Sequence, residues 1–185
     1  KIDTDGVEIP GRPIKDDGNN RIYTCAADGE TTIAAQMDII GNDSKEYHHA
    51  NETADVSSAI RIRMRGNSSR AFDKPSYAIR LVDEEGENNP LSIMGMDAHH
   101  EWVLYGPWLD KTAIRNYMFY NLAGEMMSYA PNVRFCEVIL NGEYEGLYVM
   151  TEVITGGKDG ARLGLRVNAK NSTFSGYLLR LDHQH

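Results

Sequence analysis

Between Arg61 and Arg80, five arginines and one lysine face a single aspartate, in a chain of 185 residues whose formal charge is −8. The segment carries +5, so the rest of the chain carries −13, and no general basicity accounts for the cluster. Arg61, Arg63 and Arg65 alternate with Ile60, Ile62 and Met64, a period of two that gives a strand one apolar face and one guanidinium face. Gly66 lets the backbone turn. Asn67, Ser68 and Ser69 then offer N–H groups and short polar side chains suited to phosphate oxygens. The chain returns through Tyr77, Ile79 and Leu81, alternating with Ser76, Ala78 and Arg80. Arginine recognises phosphate or carboxylate through a planar fork, and Lys74 adds a point charge beside the loop. The chemistry this implies is anion binding. The competing reading is an exposed strand face laced to Asp83, Glu84, Glu85 and Glu87, and one such loop does not decide between them.

Around this segment the punctuation outlines a mixed α/β (α+β) domain. Residues 1–20 are rich in Gly, Pro and Asp and read as an N-terminal arm or linker, with ordered structure from Arg21 onward. Ile33, Ala35, Met37 and Ile39 mark a half-buried strand, residues 44–55 a loop, and Leu91–Met96 one helical turn. The main helix is expected from Asp110 as N-cap, with Leu109 and Ile114 as a staple. Ile114, Met118, Leu122 and Met126 form its apolar stripe, so the methionines are expected to fill core. Asn141-Gly142 between two apolar runs predicts a type I′ hairpin, and Gly176–Leu181 a last short strand.

Composition narrows the function classes. The acidic balance argues against a nucleic-acid partner. No apolar run reaches the roughly 20 residues that span a bilayer. Cys25 and Cys136 can pair or stay free, and spacing does not choose. The pairs His48-His49 and His99-His100, with His183 and His185, lack the spacing of a structural zinc site, and no metal is assigned. No Gly-x-Ser-x-Gly supplies a hydrolase nucleophile. Trp102, Tyr105, Trp108 and the hairpin tyrosines suit sugar stacking, which keeps open a secreted carbohydrate- or surface-binding module without catalysis.

The ordered blocks Arg65-Gly-Asn-Ser-Ser69, Lys74-Pro-Ser-Tyr-Ala-Ile-Arg-Leu81, Trp102-Val-Leu104 with Asp110 and Arg115-Asn116, and Phe135-Cys-Glu-Val-Ile-Leu-Asn-Gly-Glu-Tyr-Glu-Gly-Leu-Tyr-Val-Met-Thr-Glu152 resemble the CotH kinase-like family of bacterial spore-coat and cell-surface proteins. The resemblance runs from about Ile60 to Asp182. It implies an atypical protein kinase of the secretory route, one that phosphorylates serine or threonine of extracytoplasmic proteins with ATP and magnesium or manganese. Residues 21–185 would then be a kinase-like small lobe, an antiparallel sheet with one main helix, plus the start of a large lobe truncated at its C-terminus. By the same resemblance, Arg63, Arg65, Asn67, Ser68, Ser69, Lys74 and Arg80 hold the nucleotide phosphates and Glu125 pairs with a phosphate-binding cation. Thr151, Glu152 and Val153 meet the adenine edge. Where such kinases place a strand lysine this chain has Arg80, unless Lys74 substitutes, and the catalytic acids are expected beyond His185.

Overall fold

Alternation along β4 (Ile33–Ile39) and β5 (Val56–Arg65) turns Ile33, Met37, Ile60, Ile62 and Met64 to one buried face, while Arg61, Arg63 and Arg65 look outward. The computed structural model describes residues 1–16, 21–41, 45–155 and 163. The two strands pair antiparallel from Ile33↔Ile62 to Ile39↔Val56. On the other side of β5, β6 (Ser76–Val82) pairs from Arg65↔Ser76 to Ala59↔Val82. Next come β7 (Glu101–Tyr105), then β9 (Glu143–Glu152), then β8 (Val133–Leu140), all antiparallel.

A two-residue strand, β1 (Ile2–Asp3), closes the structure. Its Ile2 pairs antiparallel with Met37 of β4 and parallel with Leu140 of β8, completing a seven-stranded barrel in the order β1-β4-β5-β6-β7-β9-β8. Closure removes the exposed edges that an open sheet must protect. Trp102, Ile60, Ile62, Leu81, Leu104 and Tyr148, each at most 2 % exposed, fill the interior. Burial of side chains of this size contributes about 1.5–3 kcal/mol apiece.

The expectation of an α/β, kinase-like small lobe is thereby corrected. The described residues are mostly β, the sheet is a closed barrel, and a single α-helix, α1 (Arg115–Met126), has no buried residue. The inward-facing alternation is the same for an open sheet and a barrel; what differs is the long-range pairing of Ile2. The arm expected over residues 1–20 contains β1 and β2 (Pro13–Asp16), which pairs with β3 (Arg21–Tyr23) as a separate hairpin. Leu91–Met96 forms no helix; an isolated bridge joins Leu91 to His99.

The helix also starts later than Asp110. Asp110 accepts hydrogen bonds from the Thr112 and Arg115 N–H groups at 3.2 and 3.0 Å and from the Thr112 hydroxyl at 2.6 Å. It therefore caps a preceding turn in which Ala113 has φ +58°. Ile114, Met118, Leu122 and Met126 are 47–78 % exposed, so the stripe is not core filling. The expected hairpin is present: Asn141 (φ +50°) and Gly142 (φ +87°) join Leu140 to Glu143. The expected strand at 176–181 and the histidines 183 and 185 lie outside the described residues.

Candidate functional site

Arg61, Arg63 and Arg65 emerge on the outer surface of β5, but their surroundings differ. Arg61 donates to the Thr32 hydroxyl from Nε (3.0 Å) and to the Thr32 carbonyl from Nη2 (3.2 Å). Across the β5–β6 ladder it faces Arg80, which in turn faces Glu101 of β7. Arg63 and Arg65 lie at the other end of the strand, where the chain turns at Gly66 (φ +113°) into a single 3-10 turn, Ser68–Ala71. A Cβ at Gly66 would collide with the Ser69 hydroxyl, so the turn requires glycine both for its φ and for its room.

Arg70 completes this cluster. Its Nε donates to the Gly66 carbonyl at 2.6 Å and its guanidinium lies 4.2 Å from the centroid of the Tyr23 ring. Burial, and then repulsion from Arg63 and Arg65, hold its pKa below the usual guanidinium value. Arg63 and Arg65 at the end of β5 thus lie near Arg70 on the turn that follows, and an aromatic face from β3 holds Arg70.

The β2–β3 hairpin is seated on this end of β5. Met64 N–H donates to the Pro10 carbonyl at 2.8 Å, and Gly11 N–H donates to the Thr24 carbonyl at 3.0 Å. Gly11 (φ +112°) lies so close to the Met64 backbone that a Cβ would sit 3.0 Å from its carbonyl oxygen. Arg21 Nη1 donates to the Asn67 side-chain oxygen. Between hairpin and turn lies a cleft of about 310 Å³, lined by Pro13, Ile14, Lys15 and Arg21 on one side and Asn67, Ser68 and Ala71 on the other.

The residues singled out in the sequence therefore fall in several places. Arg63, Arg65, Asn67, Ser68 and Ser69 share one end of β5 and the turn that follows. Lys74, just before β6, donates to the Glu145 carbonyl at 2.6 Å, with its ammonium 4.4 Å from the centroid of the Tyr148 ring. Arg80 is on the outer face, where its β5 partner is Arg61, four residues before Arg65. Glu125 is exposed near the end of α1.

Thr151 and Glu152 are buried, at 8 and 3 % exposure, and Thr151 pairs with both Val103 and Val133. The Glu152 carboxylate accepts from the Tyr129 hydroxyl and the Asn132 N–H at 3.3 and 3.2 Å, and Val153 N–H donates to the Glu101 carbonyl at 3.0 Å. Following the ladders, Glu152 aligns through Trp102 and Ile79 with Ile62, three residues before Arg65 on β5.

Sequence reading missed Lys15, Arg21 and Tyr23, and it counted Arg70 only as charge. The hairpin lay in a stretch whose Gly and Asp content suggested an arm. Its one local sign was the short run Arg21-Ile-Tyr23. Cys25 and Cys136 are both free thiols, and burial pushes the Cys136 thiol up to about 12. Trp102 is wholly buried and cannot stack on a sugar.

The described residues thus form a closed barrel with a cationic turn at one end of β5. The family model described as CotH kinase protein matches residues 62–185, about two thirds of the chain and continuous from β5 onward. The chain belongs to the CotH kinase family. No curated protein matches the sequence.

Proposed function

We propose that the turn from Gly66 to Ala71, with Arg63, Arg65 and Arg70, holds the phosphates of ATP in a CotH-family serine/threonine kinase acting on extracytoplasmic proteins. The observation that carries this reading is the clustering of Arg63 and Arg65 at the end of β5 with Arg70, whose Nε donates to the Gly66 carbonyl, beside a turn rich in N–H and hydroxyl donors, in a chain of net charge −8. Phosphoryl transfer depends chiefly on positioning and on electrostatic stabilisation of equatorial oxygens, which such a cluster supplies. Magnesium or manganese would accompany the nucleotide and neutralise developing charge. Among the described residues no three His, Cys, Asp or Glu side chains converge to hold a metal, so no step is assigned to the ion on this part of the chain. No described residue is assigned the role of orienting the acceptor hydroxyl.

The test is calorimetry with ATP at low and high salt. Binding should weaken as salt rises, because the contacts are ionic. Arg65→Ala should remove the heat while its ligand-free melting temperature stays near wild type, since Arg65 is exposed and stands near other cations. Absence of heat with ATP, together with clear heat from an oligosaccharide, would replace this reading with a carbohydrate-binding module.

A further inference from the structure

Arg70 is held by two contacts that engage little of its hydrogen-bonding capacity. Its Nε donates to the Gly66 carbonyl, and its guanidinium stands over the Tyr23 ring. Among the described residues no carboxylate pairs with it, and its Nη groups donate no hydrogen bond. It is half-buried, with Arg63 and Arg65 repelling it. A guanidinium carries its N–H donors in a rigid planar fork, and an aromatic face attracts the cation from above that plane without taking up any donor at its edge.

The ring has a fixed position. Tyr23 ends β3, and alternation puts it on the same side of the strand as Arg21, which reaches Asn67, while Ile22 turns the other way. The next residue, Thr24, donates from its N–H to the Arg12 carbonyl at 2.8 Å, and its hydroxyl accepts from the N–H groups of Gly11 and Arg12 at 2.9 and 3.0 Å. Gly11 packs so close to Met64, between Arg63 and Arg65, that a side chain there would crowd it. A continuous path therefore runs from β5 through Gly11 and Thr24 to the ring that carries Arg70. Tyr23 lies before residue 62, where the family match begins, and Arg70 lies inside it.

We propose that Tyr23 is a positioning residue of the anion site, its ring holding Arg70 so that the Nη groups are presented to a phosphate bound at the turn. This rests on the phosphate-binding reading above and deepens it. An arginine loose on a surface loses much rotamer freedom when it grips an anion, and that loss weakens binding. Arg70 is already ordered by Tyr23 and the Gly66 carbonyl before a ligand arrives. A carboxylate in place of the ring would order Arg70 as well, but it would occupy the fork and cancel the charge. The ring does neither.

The test is a double-mutant cycle read by ATP calorimetry on the full chain, with ligand-free melting measured for every variant. Arg70→Gln should weaken ATP by roughly tenfold, the loss of one charge-assisted contact. Tyr23→Leu should weaken it roughly two- to fivefold in the wild-type background. In the Arg70→Gln background it should have no further effect, because the ring acts only through Arg70. Tyr23→Phe returns the ring and should restore wild-type affinity, since the Tyr23 hydroxyl makes no hydrogen bond among the described residues. A loss in Tyr23→Leu that persists at full size in Arg70→Gln would mean that the hairpin acts through the fold and not through Arg70, and would overturn the positioning role; the cycle gives that answer even where Tyr23→Leu lowers the melting temperature. Wild-type affinity in Tyr23→Leu, while Arg65→Ala and Arg70→Gln lose binding, overturns it too and leaves the turn site standing. If wild type shows no ATP binding, both readings fall together.

Discussion

The Lys74 ammonium lies over the ring of Tyr148, 4.4 Å from its centroid, and the hydroxyl of that ring has no hydrogen-bond partner among the described residues. Tyr148 is fully buried, and its ring stacks on Tyr77 with centroids 6.2 Å apart. The Tyr77 hydroxyl acts on it electrostatically, without a hydrogen bond of acceptable geometry. Burial pushes the Tyr148 phenol far above its usual pKa, and burial lowers that of Lys74 while Glu145 opposes the shift. A polar oxygen left unsatisfied in an apolar barrel costs stability that its ring does not need.

Tyr148→Phe should therefore stabilise the protein. It keeps the ring for Lys74 and Tyr77 and removes only the unsatisfied oxygen, raising the unfolding free energy by about 1 kcal/mol. Tyr148→Leu should lower it by about 1–2 kcal/mol, because both ring interactions go with it. Urea denaturation measures both. A Phe variant less stable than wild type would mean that the hydroxyl is satisfied in solution.

What the sequence makes legible follows from the range of each signal. The alternation of Ile60, Ile62 and Met64 with arginines is local, and β5 and β6 pair in the register it implies. Asn141-Gly142 is equally local, since both residues tolerate positive φ. Barrel closure is not local: it depends on Ile2, whose partners are Met37 and Leu140, and a two-residue strand has no period to detect. The site divides in the same way. Arg63, Arg65 and the Asn67–Ser69 turn are contiguous in sequence, whereas Arg21 meets Asn67 across 46 residues. The stripe on α1 shows a further limit, because periodicity identifies an apolar face but not whether anything covers it.

That helix supports a second prediction. Its visible aromatic anchor is Tyr117, whose ring stacks on Phe135 of β8 with centroids 4.4 Å apart. Met118 and Leu122 are 47 and 48 % exposed. Met118→Lys and Leu122→Glu should shift the unfolding free energy by less than about 0.5 kcal/mol, as surface changes do. Tyr117→Ala should cost about 1 kcal/mol through loss of the stacked pair. Denaturant titrations compare them; a large loss in Leu122→Glu would show that the stripe is covered in solution.

The last prediction concerns acid. His99 is buried at 2 % exposure; its Nδ1 accepts the Glu101 N–H at 2.9 Å, and its Nε2 meets the Thr155 hydroxyl at 3.1 Å. That acceptor role needs an unprotonated Nδ1, so the proton sits on Nε2. The groups facing it are the His100 ring, stacked at 5.3 Å, the edge of Trp102, and the carboxylates of Glu101 and Glu152. Burial, then His100, lower its pKa below 6.5, and the two glutamates oppose this without reversing it. With the folded pKa below the unfolded one, the unfolded chain binds the extra proton between them. The stability due to neutral His99 is therefore complete above about pH 6.5 and is lost as pH falls through the folded value. His99→Gln removes this titration and retains a side chain able to form hydrogen bonds. Melting temperatures from acid to neutral pH should show wild type losing stability relative to the variant below about pH 6.5, with a constant difference above it. Parallel curves through that window would mean that His99 is protonated in the folded protein as readily as in the unfolded chain, and that the Glu101 N–H has another acceptor.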